Sequence, residues 1–369
     1  MTCSLLLTNC LFCGLAALFL LPLLKHPKIL TYRKGFPVII TIILILTKML
    51  IPYEFSFTST LASKKILPLI NAVVNFNLYR NITIGELFLY AWLFIAILLL
   101  GFNSLKHRKL IKILSIVPTT NNITITQLLS ELYKQNKVKH KPKVVQLNIN
   151  TGPFIAGLLN PTIVLPSQLS SSETKFVLLH EFEHFKHRHI LIKACIEIVT
   201  AIYWWNPVIW ILRKEVNQAL EMQADANVIQ GLSKKDGLSY LDTLIKVSKN
   251  IHEKHNANLA LSFTLKRNMV AYRVNTALKF DFKENDKKLT LFQICPLILS
   301  TVLLLSSFIF TFESYHITPL NVEGTFTVNH KSDYFLLRKD NLYDLYIDDK
   351  HIATIHTIPE DLSKLSIHK

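Results

Sequence analysis

Acid is scarce in this chain: 25 Asp and Glu stand against 41 Lys and Arg, a formal net charge of +16. A surplus of that sign permits a nucleic-acid surface, but it is equally expected beside a membrane, where Lys and Arg set orientation. The five cysteines, Cys3, Cys10, Cys13, Cys195 and Cys295, sit in or beside apolar stretches. An odd set in such places gives no disulfide framework, which excludes a stapled secreted domain. A basic n-region is missing too. The chain opens MTCSLLL, and its first positive charges, Lys25, Lys28, Arg33 and Lys34, come after the first apolar run. A cleaved secretory signal has the reverse order.

What is abundant is apolar surface. Half of the 369 residues are hydrophobic, 22 are Phe, and the mean hydropathy of +0.32 exceeds what a soluble domain needs. Four runs, 4 to 24, 37 to 53, 85 to 103 and 289 to 311, each approach the roughly 20 residues that cross a hydrocarbon core. Charge assigns their direction. Residues 25 to 36 hold four Lys/Arg and no acid, and residues 104 to 288 hold 27 Lys/Arg against 14 Asp/Glu. Residues 312 to 369 hold six against nine. Lys/Arg bias marks the cytoplasmic side. The expectation is a polytopic α-helical membrane protein with four transmembrane helices. Residues 1–103 hold three spans, 104–288 form a cytosolic domain, 289–311 make the fourth span, and 312–369 form a short extracellular β-rich tail. The N-terminus also lies outside. The basic charge is thereby absorbed by topology, and no direct nucleic-acid binding is expected.

The cytosolic segment is predicted to begin with a helix at 124 to 136, followed by short strands within KVVQLNINTGPFIAGLLNPTIVLP, 143 to 166. Ser170 with Glu173 is a capping box before the apolar run FVLL, so a helix starts near 171 and runs into LLHEFEHFKHRHI, 178 to 190. Residues four apart share a helix face, so His180 and His184 can aim two imidazoles at one ion, with Glu181 beside them. This H-E-x-x-H spacing suits Zn²⁺: two imidazoles, a third protein ligand, and an open position beside a carboxylate base. The third ligand is expected on a second helix, where Glu221 and Asp225 are again four apart, with Asp225 holding a histidine N–H. Residues 190 to 212 are apolar enough to suggest a fifth span. A crossing there would put the histidines and Glu221 on opposite sides of the membrane, so this stretch is expected to stay in the zinc domain or dip against the inner leaflet, turning at WWNP.

GPFIAGLLNPTIVLP, HEFEH, WWNP, Glu221 and Asp225, in that order, resemble the BlaR/MecR-type antirepressor membrane metallopeptidases, metallopeptidase family 56. The resemblance covers roughly residues 1 to 311. It implies a cytosolic α+β gluzincin-like zinc protease domain holding one Zn²⁺ through His180, His184 and Glu221, with Glu181 as the catalytic base and Asp225 in the outer shell. It also implies a bacterial cell-membrane sensor that cleaves a DNA-binding transcriptional repressor in response to an extracellular signal, as in antibiotic responses. Its partners would be that cytosolic repressor and the lipid bilayer, and a homodimer is left open. The chain departs from the pattern at His189, where relatives often carry Asp, and at Ala224, where Cys often precedes the Asp. A penicillin-binding sensor domain is not expected in the residues after the last run, and the S-x-x-K at Ser366 to Lys369 reads as chance. Tyr240 and Arg273 are unranked candidates for oxyanion donor, and Lys266 and Arg267 mark a region where relatives are cut. Two alternatives remain: a membrane quality-control gluzincin, and a zinc-stabilised receptor that signals without cleavage.

Overall fold

Helix ends in this chain follow capping and breaking signals that can be named residue by residue. The computed structural model describes residues 3–25, 32–53, 55–79, 82–138, 140–148, 152–253, 271, 273–275, 291–314, 334–339, 342–347, 350–355 and 366–368. Two compact units result, Met1–Glu313 and Ser314–Lys369.

The first unit begins with α1 (Cys3–Leu24) and α2 (Tyr32–Leu50). Strand β1 (Ser59–Ser63), α3 (Ile66–Val74) and the ribbon β2 (Asn77–Tyr79) with β3 (Ile82–Thr83) lead to α4 (Ile84–Ile116). A mixed segment follows: α5 (Ile123–Gln135), β4 (Lys143–Leu147), β5 (Phe154–Ala156), β6 (Thr162–Pro166) and α6 (Ser171–Lys186). Then come α7 (His189–Ile202), α8 (Pro207–Gln230), α9 (Lys234–Glu253), α10 (Leu291–Ile309) and β7 (Phe310–Ser314), which pairs with β1.

By length and composition, α1 over Leu5–Leu24 and α4 are able to cross a membrane, while Pro37–Leu50 and Ile294–Ile309 are shorter apolar helices. α1 and α2 run antiparallel, because Asn9 near the start of α1 donates to the Lys48 carbonyl near the end of α2 at 3.1 Å. α10 lies along α1, tied by Ser300 Oγ to the Ala16 carbonyl at 2.9 Å. Cys10 and Cys13, spaced C-x-x-C, are free thiols on α1, and Cys13 is directed at Asn9 Oδ1 at 3.4 Å.

α4 runs on past 103, where the expected span ends, and stops only at Ile116. SLKHRKLIKIL contains no helix breaker, so polarity alone does not end the helix. Pro118 does, holding Val117 at φ −69°, ψ 130°. Lys143 Nζ then donates to the carbonyls of Leu114, at 3.0 Å, and Val117, so the first strand of the sheet caps this helix.

β6 is the centre of a three-stranded sheet, parallel to β4 and antiparallel to β5. Gly157, at φ +96°, turns the chain after β5, where a Cβ would collide with the Asn160 carbonyl. Ile163 and Leu165 of β6 bury against Val177 and Leu178 of α6, with Ile125 and Leu129 of α5. Ser170 caps α6 with Glu173 in the expected reciprocal box.

The 190 to 212 stretch folds as an α7–α8 hairpin. Asn206 caps α8 and Pro207 occupies its first turn, so WWNP is the turn itself. The hairpin packs chiefly on apolar helices rather than on the sheet. Ile192, Ile196, Val199 and Tyr203 of α7, with Ile209, Leu212 and Val216 of α8, share a core with Ala16, Leu20 and Leu24 of α1 and with Ile42, Ile45 and Met49 of α2. Its tip is pinned: Tyr203 Oη donates to the Met49 carbonyl at 2.9 Å, and Trp92 Nε1 of α4 donates to the Ile202 carbonyl at 2.5 Å. Glu215, further along α8, approaches Lys25 after α1 at 4.0 Å. The tip therefore reaches the end of the helix pair opposite Lys25.

In the second unit, β8 (Tyr334–Lys339), β9 (Leu342–Ile347) and β10 (Lys350–Ile355) form an antiparallel meander. β11 (Ser366–His368) adds beside β8 in parallel, a pairing that the expected β-rich tail did not specify. Lys266 and Arg267 lie outside the described residues.

Candidate metal centre

α6 and α8 converge on one cluster. His180 Nε2 and His184 Nε2 are 3.1 Å apart, His180 Nε2 lies 3.4 Å from Glu221 Oε2, and His184 Nε2 lies 3.4 Å from Glu221 Oε1. Among the described residues, these three are the group of His, Cys, Asp and Glu able to share an ion. Tetrahedral zinc with ligand bonds near 2.0 to 2.1 Å spaces neighbouring ligand atoms about 3.3 Å apart, so the donor set fits in type and size. Glu181 is buried on the same helix, and no hydrogen bond or ion pair among the described residues engages it.

Behind the histidines the polar groups are paired in detail. His180 Nδ1 faces Asp225 Oδ1 at 3.2 Å and the Tyr240 hydroxyl at 2.9 Å, and that hydroxyl donates to Asp225 Oδ1 at 2.6 Å. Arg273 grips Asp225 with Nε and Nη2, both at 2.7 Å, and reaches Glu221 Oε2 with Nη1 at 3.4 Å. Lys193 of α7 holds Glu221 Oε1 at 3.0 Å. His184 Nδ1 meets His189 Nδ1 at 2.7 Å, and His189 Nε2 meets Gln223 Oε1 at 3.1 Å.

These contacts set the charges. Burial pushes the His180 imidazole down, but hydrogen bonds to Asp225 and Glu221 outweigh it and raise the group to about 9. Burial lowers His184, and it lowers His189 further with the help of the neighbouring imidazoles and Lys193. Burial opposes ionisation of Glu221, yet His184 and Lys193 hold it well below the usual carboxylate range. Asp225 is likewise held low against its burial by the Arg273 guanidinium. Tyr240 is driven well above its ordinary value by burial and by Asp225, so it stays a neutral donor.

With this geometry established, the relatives can be placed. The family described as BlaR1 peptidase M56 matches residues 38–276. The chain belongs to the M56 peptidase family. The regulatory protein BlaR1 of Bacillus licheniformis is 30% identical over 204 residues, 53% of this chain and 33% of the relative. The methicillin resistance mecR1 protein of Staphylococcus aureus is 25% identical over 200 residues, 52% of this chain and 33% of the relative. A protease HtpX homolog of Helicobacter acinonychis is 23% identical over 230 residues, 58% of this chain and 72% of the relative. The matched part thus spans about a third of the length of the BlaR1 and mecR1 relatives.

Within this M56 peptidase the five sequence-predicted site residues all fall on α6 and α8, and four of them meet directly: His180, His184, Glu221 and Asp225. Glu183 and His187 pair with each other at 3.1 Å, as a flank of the motif rather than as part of the cluster. Lys193 and Gln223 escaped the sequence reading. Each is visible only as a polar residue on an otherwise apolar or structural helix, and its partner is 28 or 34 residues away.

Proposed function

We propose that this M56 peptidase is a membrane-embedded zinc metalloendopeptidase that cleaves a cytosolic transcriptional repressor in response to a signal from the other side of the membrane. The observation that carries the proposal is the meeting of His180, His184 and Glu221 at ligand spacing, with Glu181 buried next to His180 on the same helix. Zinc there would polarise the scissile carbonyl and acidify a water. Neutral Nε2 atoms of His180 and His184, with one oxygen of Glu221, would hold the ion. Glu181 would take the proton of the attacking water and return it to the leaving amide nitrogen. Asp225 and Tyr240 orient His180 from its Nδ1 side. That position turns Tyr240 away from the ligand atoms, whereas Arg273 Nη2 lies 3.4 Å from His180 Nε2. Of the two oxyanion donors, Arg273 is the better placed.

Apolar α1, α2, α4 and α10 would make the four spans, with the three-stranded sheet, α5, α6 and the far half of α8 on the basic cytoplasmic side. On that reading the α7–α8 hairpin enters the helix bundle from the cytoplasm without crossing, which keeps both ligand helices on one face. The regulatory and resistance roles named for the BlaR1 and mecR1 relatives favour a signalling substrate. The HtpX homolog supports a second reading, a membrane quality-control protease. The presence of Glu181 speaks against a receptor that binds zinc without cleaving, since a structural site has no use for that base.

The decisive experiment compares wild type with Glu181→Gln in membranes, using the repressor encoded beside the gene. Cleavage by wild type under inducing conditions, lost in the variant with zinc still bound, is the expected result. An intact repressor with both proteins would sink the antirepressor reading. Cleavage of misfolded membrane proteins alone would establish the quality-control reading in its place.

A further inference from the structure

The two ligating histidines are oriented by different chemistry. His180 has a carboxylate behind it, whereas His184 has another imidazole, and the proton positions in that second arrangement follow from hydrogen-bond rules alone. An amide oxygen can only accept, so Gln223 Oε1 at 3.1 Å requires the proton of His189 to sit on Nε2. A neutral His189 then presents a lone pair at Nδ1, 2.7 Å from His184 Nδ1. One proton fits between these nitrogens, and it belongs to His184. Its Nε2 is left with a free lone pair, 3.1 Å from His180 Nε2 and 3.4 Å from Glu221 Oε1.

We propose that His189 and Gln223 form a tautomer relay that holds His184 in the form able to bind a divalent cation, with His189 the positioning residue and Gln223 its fixed end. Both side chains are buried, at 1% and 2% exposure, so water does not compete for the two hydrogen bonds. The backbone also serves the contact. Arg188, between α6 and α7, takes the left-handed conformation at φ +53°, which a non-glycine residue seldom adopts, and His189 follows it directly. Gln223 sits on α8 between Glu221 and Asp225, so one helix supplies a ligand, the outer partner of His180 and the far end of the chain behind His184. An Asp at position 189 would accept the His184 proton directly. This chain reaches the same end through a ring and an amide.

The relay rests on the metal-centre reading but not on the identity of the peptide substrate, and it is tested by metal binding. Full-length protein in detergent micelles is titrated with Zn²⁺ against a chromophoric chelator, and the visible spectrum of the Co²⁺ form is recorded. His189→Ala should weaken zinc binding about 10- to 100-fold and alter the cobalt bands, while His189→Asp restores both. Gln223→Met, which keeps the volume but removes the acceptor, should fall between them, and Gln223→Glu should match wild type. Wild-type affinity in His189→Ala overturns the proposal, as does an Asp variant no better than the Ala variant. Should His189→Ala fail to fold, the Asp and Gln223 variants decide. Absence of zinc and cobalt binding by wild type overturns the metal centre and the relay together, whereas binding without repressor cleavage leaves the relay standing.

Discussion

His180, Glu181 and His184 come from a helix that packs on strands, whereas Glu221, Gln223 and Asp225 come from one whose first half is buried among apolar helices. α6 is seated by Val177 and Leu178 on β6. α8 is seated by Ile209, Leu212 and Val216 on α1 and α2. Neither core alone contains the whole cluster of His180, His184 and Glu221. The centre is therefore a joint between two packing environments, and its geometry depends on their staying in register.

Removing the α8 contribution should have the largest effect. Glu221→Ala leaves both imidazoles of α6 in place, yet zinc affinity should fall by well over the roughly 100-fold expected of an outer partner. Chelator competition measures it, and a loss of less than tenfold would mean that α6 suffices. Asp225→Asn attacks the joint from behind. It strips Arg273 of its bidentate partner, and leaving a partly buried cation half-paired should cost about 2 kcal/mol in unfolding free energy. Denaturation in detergent reads this directly, and an unchanged midpoint would show that Glu221 alone balances Arg273.

Acidity tests the α6 side. The ring of His180 is protonated below about 9 and must be neutral to bind a cation. Zinc affinity should therefore rise by about tenfold per pH unit as pH climbs towards 9, and level off above it. A flat profile between pH 6 and 8 would contradict the charge assigned to His180. The smallest effects separate the two cores. Ser170→Ala removes the α6 cap and Tyr203→Phe removes the bond to the Met49 carbonyl, each costing about 1 kcal/mol. Both should lower the midpoint of one shared transition. Two resolved transitions would show that the cores unfold independently.

The α6 half of this joint was legible in sequence. Ser170 and Glu173 announced the helix, and the His180 to His184 spacing needs nothing beyond helical periodicity. Glu221 and Asp225 were legible for the same reason. What surrounds α7 was not, because an apolar stripe reads alike whether it faces a sheet or other helices, and only Tyr203 and Trp92 reveal which. The apolar run to 103 marked a span but not the end of its helix, which continues to Ile116, where Pro118 carries the stop signal. The relay through His189 and Gln223 was illegible because it joins residues 34 apart through tautomer chemistry that no spacing rule encodes. Arg273 was named from sequence as one donor among two, and only its grip on Asp225 gave it a place.

No glycine interrupts α8, Pro207–Gln230, and its proline stands in the first turn, so the helix has no internal hinge. Glu221 stands about 21 Å from Pro207 along that axis, at 1.5 Å per residue. Four residues before Pro207 the chain is fastened to Met49 through Tyr203, and at Glu221 it carries the third member of the His180, His184 and Glu221 cluster. Such an element would work as a push rod. With an ion held there as proposed, a shift of the α2 terminus by an ångström would reach the Glu221 carboxylate with little taken up on the way, and tetrahedral coordination would tolerate far less displacement than that.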